Sequence, residues 1–75
     1  MPHVSVKLFP GRSLAQKAAL SEAIVRDVVE HIECSIDSIS VAIEEIDPRE
    51  WKEKVFAPEI LAKPRTLFKK PGYSM

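Results

Sequence analysis

Only two glycines occur among the 75 residues, too few for a glycine-rich loop that cradles phosphates on backbone N–H groups. Cys34 is the one cysteine, which rules out an intrachain disulfide. A single free thiol fits a reducing, cytoplasmic setting. His3 and His31 stand far apart and no second cysteine joins them, so no metal site is expected. Neither sign of charge predominates: Lys plus Arg and Asp plus Glu number 11 each. That balance argues weakly against a nucleic-acid partner, which wants a basic face. No apolar run approaches the ~20 residues of a membrane span. The first residues alternate in polarity and offer no signal-peptide core.

What is present points to one small domain, residues 1–75, without repeats or linkers. A 45% hydrophobic content is that of a folded chain. A monomer of this size buries little, and without disulfides or metal its main recourse is self-association. Met1 to Phe9 reads as a strand, with Val4, Val6 and Leu8 on one face and His3, Ser5, Lys7 and Phe9 on the other. Pro10-Gly11-Arg12 is a turn. Ser13 and Gln16 fit a capping box that starts a helix near Leu14, running to about Glu33. Its apolar stripe is Leu14, Ala18, Val25, Val28, Val29 and Ile32, widened by Leu20 and Ile24. Lys17, Glu22, Arg26, Asp27, Glu30 and Glu33 lie mostly opposite.

Ser38 to Ile46 predicts a second strand. Strand, crossover helix and strand form a βαβ unit, whose strands should be parallel and right-handed. The fold class is therefore α/β (α+β). Two parallel strands are too few to stand alone, so a second copy is expected to complete a four-stranded sheet with helices on one face. Asp47-Pro48 predicts a short helix carrying Trp51. Ala57-Pro58-Glu59 predicts another, through Ile60, Leu61, Leu67 and Phe68, kinked or split at Pro64.

Several residues are candidates for chemistry. If Met1 is removed, Pro2 becomes a secondary amine at the start of a strand, a group no internal residue supplies. Arg12 lies in a turn, where a guanidinium can grip a carboxylate in bidentate fashion, although a loop arginine is more often plain surface charge. Trp51, the only tryptophan, is by default a core or interface anchor. Cys34 and His31 could share a helix face, but no third group orients them as a nucleophile pair. Lys63, Arg65, Lys69 and Lys70 read first as solvated charge.

Together these residues resemble the tautomerase superfamily, of which 4-oxalocrotonate tautomerase is the best-known small member. The shared features are Met1-Pro2 opening a strand, Gly11-Arg12-Ser13, Gln16-Lys17, the long helix, Ser38-Ile39-Ser40-Val41 and the aromatic Trp51. The ending from Lys69 to Met75 is similar to that of PptA-type tautomerases. The resemblance implies a catalytic amino-terminal proline at Pro2, a carboxylate-binding arginine at Arg12 and an apolar aromatic wall at Trp51. It also implies dimers, or hexamers made of three such dimers, and no cofactor. The 4-oxalocrotonate enzymes carry a second catalytic arginine where this chain has Ser40. A serine hydroxyl donates a hydrogen bond but brings no charge. The implied substrate is thus an enol or α-keto monocarboxylate, phenylenolpyruvate-like, with its aryl group near Trp51. His3 and Ser40 are candidates for binding the carbonyl or hydroxyl oxygen.

The polar sheet face, with His3, Ser5, Lys7, Ser40 and Glu44, favours a homodimer over a hexamer. A non-catalytic oligomer that binds a small acid or a partner protein is the alternative from another class. Hydration or dehalogenation of an unsaturated acid would need an additional carboxylate to activate water. Glu44 and Glu45 read more simply as strand residues, with Glu44 facing Lys7.

Overall fold

The alternating residues His3–Leu8 form strand β1 in the computed structural model, which describes all 75 residues. The chain folds as two units, Met1–Glu45 and Ile46–Met75. In the first unit β1 leads to helix α1 (Leu14–Ile32), a 3-10 turn (Ile36–Ser38) and strand β2 (Ser40–Glu45). The strands pair in parallel, with His3 opposite Ser40, Lys7 opposite Glu44 and Leu8 opposite Glu45. The α+β strand–helix–strand unit expected from the pattern is the one that forms.

Both strands are shorter than the sequence pattern suggests. β1 starts at His3 instead of Met1, yet the Ser40 N–H donates to the Pro2 carbonyl at 3.2 Å, so the ladder reaches residue 2. β2 starts at Ser40 instead of Ser38 because Ser35 diverts the chain into a turn. The Ser35 side chain accepts from the Asp37 N–H at 3.1 Å, and its carbonyl accepts from the Ser38 hydroxyl at 2.7 Å. Such local side-chain bonds compete directly with strand pairing.

The bounds of α1 follow from its caps. Ser13 Oγ accepts from the Gln16 N–H at 3.1 Å, and Gln16 Oε1 accepts from the Ser13 N–H at 2.8 Å. This reciprocal pair satisfies two donors left orphaned by the helix start. Glu33 ends the helix in the left-handed region, at φ 58° and ψ 58°. Ahead of α1, Gly11 takes φ 127°, which suits glycine, and turns the chain before Arg12.

No residue of α1 is fully buried. Lys17, Ser21, Ile24, Val25 and Val28 are half-buried, whereas Leu14, Ala18, Val29 and Ile32 of the expected apolar stripe are exposed. Two strands offer too narrow a platform to cover the whole stripe. Lys17, expected on the solvent side, instead reaches Glu45 at the end of β2, with Nζ 3.3 Å from Oε2. Its aliphatic stem makes that position tolerable.

In the second unit Asp47 opens a 3-10 turn, Pro48–Glu50, as the N-cap and proline signals suggest. Asp47 Oδ1 accepts from the Arg49 backbone N–H at 2.8 Å, and Oδ2 receives Arg49 Nη2 at 2.9 Å. The Arg49 side chain, and next its backbone N–H, hold the Asp47 carboxyl below its ordinary range. Trp51 follows, and then helix α2 (Lys52–Leu61), which is π-helical. The expected helix start at Ala57-Pro58-Glu59 is not there, since Pro58 lies inside α2. A widened π turn accommodates the proline, which has no N–H to give and whose ring crowds the carbonyl one α-helical turn earlier. The Ala62 N–H reaches the Ala57 carbonyl at 3.1 Å in this wider register. Leu67 and Phe68 lie outside the helix, because Pro64 starts a separate 3-10 turn, Pro64–Thr66. Ile46, Val55 and Phe56 are the buried apolar residues, a thin core for 75 residues.

Candidate active site

The start of the sheet gathers three of the residues singled out in the sequence. Pro2 is half-buried and tied to β2 through its carbonyl. His3 and Ser40 are register partners, and their side chains meet: His3 Nδ1 and Ser40 Oγ are hydrogen-bonded at 2.6 Å. Parallel pairing brings them together, since directly opposite residues project to the same face of the sheet. Ser40 thus fixes residue 2 through its backbone and His3 through its side chain. Met1 is fully exposed ahead of Pro2, so the Pro2 nitrogen is an amide in this form of the chain.

Arg12 is exposed in the turn after β1, with no hydrogen bond or ion pair to its guanidinium. It follows the far end of β1 from Pro2. Six strand residues span roughly 20 Å at about 3.3 Å each, so one chain does not bring Arg12 to Pro2. An arginine already committed to a carboxylate of its own chain could not take one from a substrate; Arg12 has no such commitment.

Trp51 belongs to the second unit and is half-buried. Its Nε1–H donates to the Tyr73 hydroxyl at 2.9 Å, and the Tyr73 ring lies against Phe56 with centroids 5.5 Å apart. Nothing in the sequence singled out Tyr73 within the ending from Lys69 to Met75. The available signal was the indole N–H, which needs an acceptor once its surroundings are partly dry.

The other candidates are spent locally. His31 Nδ1 donates to the Asp27 carbonyl at 2.8 Å, one turn back in its own helix, and makes no nucleophile pair with Cys34. Asp27, Glu30 and His31 bring ligand atoms within 4.8 Å of one another, but all three are exposed on the surface of α1. Lys63, Arg65, Lys69 and Lys70 are exposed as well, and Lys69 Nζ donates to the Lys70 carbonyl at 3.2 Å. No helix is long and apolar enough to cross a membrane.

Comparison with known proteins gives the same outline. The family model described as "Tautomerase enzyme" matches residues 2–55. The protein named Tautomerase PptA of Cronobacter sakazakii is 42% identical over 76 aligned residues that span both chains completely. Tautomerase PptA of Pectobacterium carotovorum is 45% identical over 99% of each chain. Among solved structures, TomN, a 4-oxalocrotonate tautomerase homologue of the tomaymycin biosynthetic pathway, superposes with a TM-score of 0.64 at 34% identity. That match covers 67% of this chain and 77% of TomN. YwhB, another 4-oxalocrotonate tautomerase homologue, matches 61% of this chain and 75% of its own, with a TM-score of 0.60 at 39% identity. With a βαβ unit that presents Pro2 at the end of its ladder and with full-length relatives of this kind, the chain belongs to the tautomerase family of enzymes.

Proposed function

We propose that the protein is a keto–enol tautomerase of monocarboxylates, phenylenolpyruvate-like in structure, that uses the amine of Pro2 as general acid and base once Met1 is removed. The observation that carries this reading is the ladder bond from the Ser40 N–H to the Pro2 carbonyl, which holds a chain terminus that would otherwise fray. With Met1 gone, the nitrogen beside that anchored carbonyl is a secondary amine with a free lone pair. An ordinary α-amino group titrates at about 7.7–8.0. An apolar setting and a guanidinium brought by a second copy would both disfavour its charged form and so favour a neutral amine as the base.

The chemistry then balances without a cofactor. The Pro2 nitrogen takes the enol hydroxyl proton, and the O–H bonding pair becomes the carbonyl π bond. The C=C electrons take a proton from the prolinium at the adjacent carbon, which restores the amine. Arg12 holds the carboxylate, and the coupled His3–Ser40 pair offers a polar contact for the oxygen. A single guanidinium with an uncharged hydroxyl at Ser40 suits one carboxylate, not two. Trp51 provides an apolar surface for an aryl group.

The span between Pro2 and Arg12 supports a site shared by two copies. If β1 pairs antiparallel with β1 of a second copy about a two-fold axis, the His3 end of each strand meets the Leu8 end of the other. Pro2 of one copy then approaches the partner copy's equivalent of Arg12. The same pairing makes the four-stranded sheet and widens the platform beneath the exposed stripe of α1. The functional test compares protein beginning at Pro2 with protein retaining Met1, each verified by mass spectrometry, in an enolpyruvate tautomerase assay. The Pro2 form is expected to be active and the Met1 form inactive; equal rates would reject the mechanism.

A further inference from the structure

We propose that Tyr73 is a positioning residue that fixes the Trp51 indole and thereby sets selectivity for substrates bearing an aryl group; this rests on the reading of Trp51 as the apolar substrate wall. Four observations within the second unit lead there. The Trp51 Nε1–H donates to the Tyr73 hydroxyl at 2.9 Å. Tyr73 is itself set by its ring contact with Phe56, at 5.5 Å and tilted by 37°. Phe56 is only 3% exposed and so provides a fixed base. The tail from Lys70 to Ser74 returns alongside Phe56, Ile60, Leu61, Pro64 and Leu67, and between them lies an open apolar groove of about 310 Å³.

An indole turns about two side-chain bonds, and the second of them is broad in its preference. A hydrogen bond at the far corner of the ring removes that freedom. Tyr73 has the right chemistry, because indole only donates and a phenol can accept. It also has a rigid frame, since its ring is held against a buried phenylalanine. Tyr73 is 48% exposed: one side of its ring covers Phe56, and its hydroxyl is spent on the indole.

Tyr73→Phe removes the acceptor and keeps the ring against Phe56. Trp51 is the only tryptophan, so time-resolved fluorescence anisotropy reports on this indole alone. Faster local depolarisation is expected in Tyr73→Phe. KM for an aryl enolpyruvate should rise roughly three- to tenfold, the scale of one neutral hydrogen bond, and by more than KM for a small alkyl enol. Trp51→Phe removes the donor, so adding Tyr73→Phe to it should change KM no further. Unchanged anisotropy in Tyr73→Phe, or an equal KM rise in the presence and absence of the indole N–H, would overturn the proposal. If Trp51→Ala leaves aryl KM unaltered, the wall reading fails and the selectivity claim fails with it. The anisotropy comparison then still decides whether Tyr73 holds the indole.

Discussion

At the scale of single residues, the account divides labour between one base, one cation and one aromatic surface. Arg12→Ala removes a charge-assisted contact worth roughly 1.5–3 kcal/mol, so kcat/KM for carboxylate substrates should fall about ten- to hundredfold. If the contact is alike in ground and transition states, the loss appears in KM while kcat holds. Steady-state kinetics identical to those of the unaltered protein would make Arg12 plain surface charge. Trp51→Ala should lower activity toward aryl substrates, measured per folded molecule with folding checked by circular dichroism. Activity should rise with pH as the Pro2 amine loses its proton, because the neutral form is the base. Pro2→Ala keeps a primary amine and should retain partial activity with an altered pH profile. Pro2, Arg12 and Trp51 stand out in the sequence for separate reasons: a proline behind the initiator, an arginine in the turn between the first strand and the first helix, and the one tryptophan. The His3–Ser40 bond was less legible, since it depends on strand register. Tyr73 did not stand out, because its contacts with Trp51 and Phe56 exist only once the tail folds back.

Among the elements, β1, α1 and β2 were readable from period and caps, and the second unit only in part. Ser13 and Gln16 marked the start of α1 because capping is local chemistry, complete within four residues. Ser13→Ala should cost about 1 kcal/mol of stability, read as a lower denaturation midpoint at constant m-value. The boundary of β2 was misplaced because Ser35 and Ser38 make a turn that hydrophobic alternation conceals. Proline misled the reading of α2. Sequence rules treat Pro58 as a start or a break, yet a π-helical turn admits it inside the element. The exposed side of α1 was equally hidden, since periodicity shows which residues are apolar but not whether a two-stranded sheet is wide enough to cover them.

For the whole molecule, the thin core, the exposed stripe of α1 and the edge of β1 that pairs with no strand are the features that support the proposed self-association. Light scattering should give a homodimer at micromolar concentration. A stable monomer would contradict the shared site, whereas a hexamer would contradict only the inference that the polar sheet face stops assembly at two. The claim at the centre is that each working site joins the Pro2 amine of one copy to the arginine of another. Mixed dimers test it most directly. One chain carries Arg12→Ala with a free Pro2; the other keeps Arg12 but bears one extra residue ahead of Pro2, which turns the amine into an amide. Neither chain alone can build a complete site. Random pairing makes half the dimers mixed, each with one intact site of two, so co-assembled protein should recover about a quarter of full activity. Activity no greater than the average of the two separate homodimers would contradict the account.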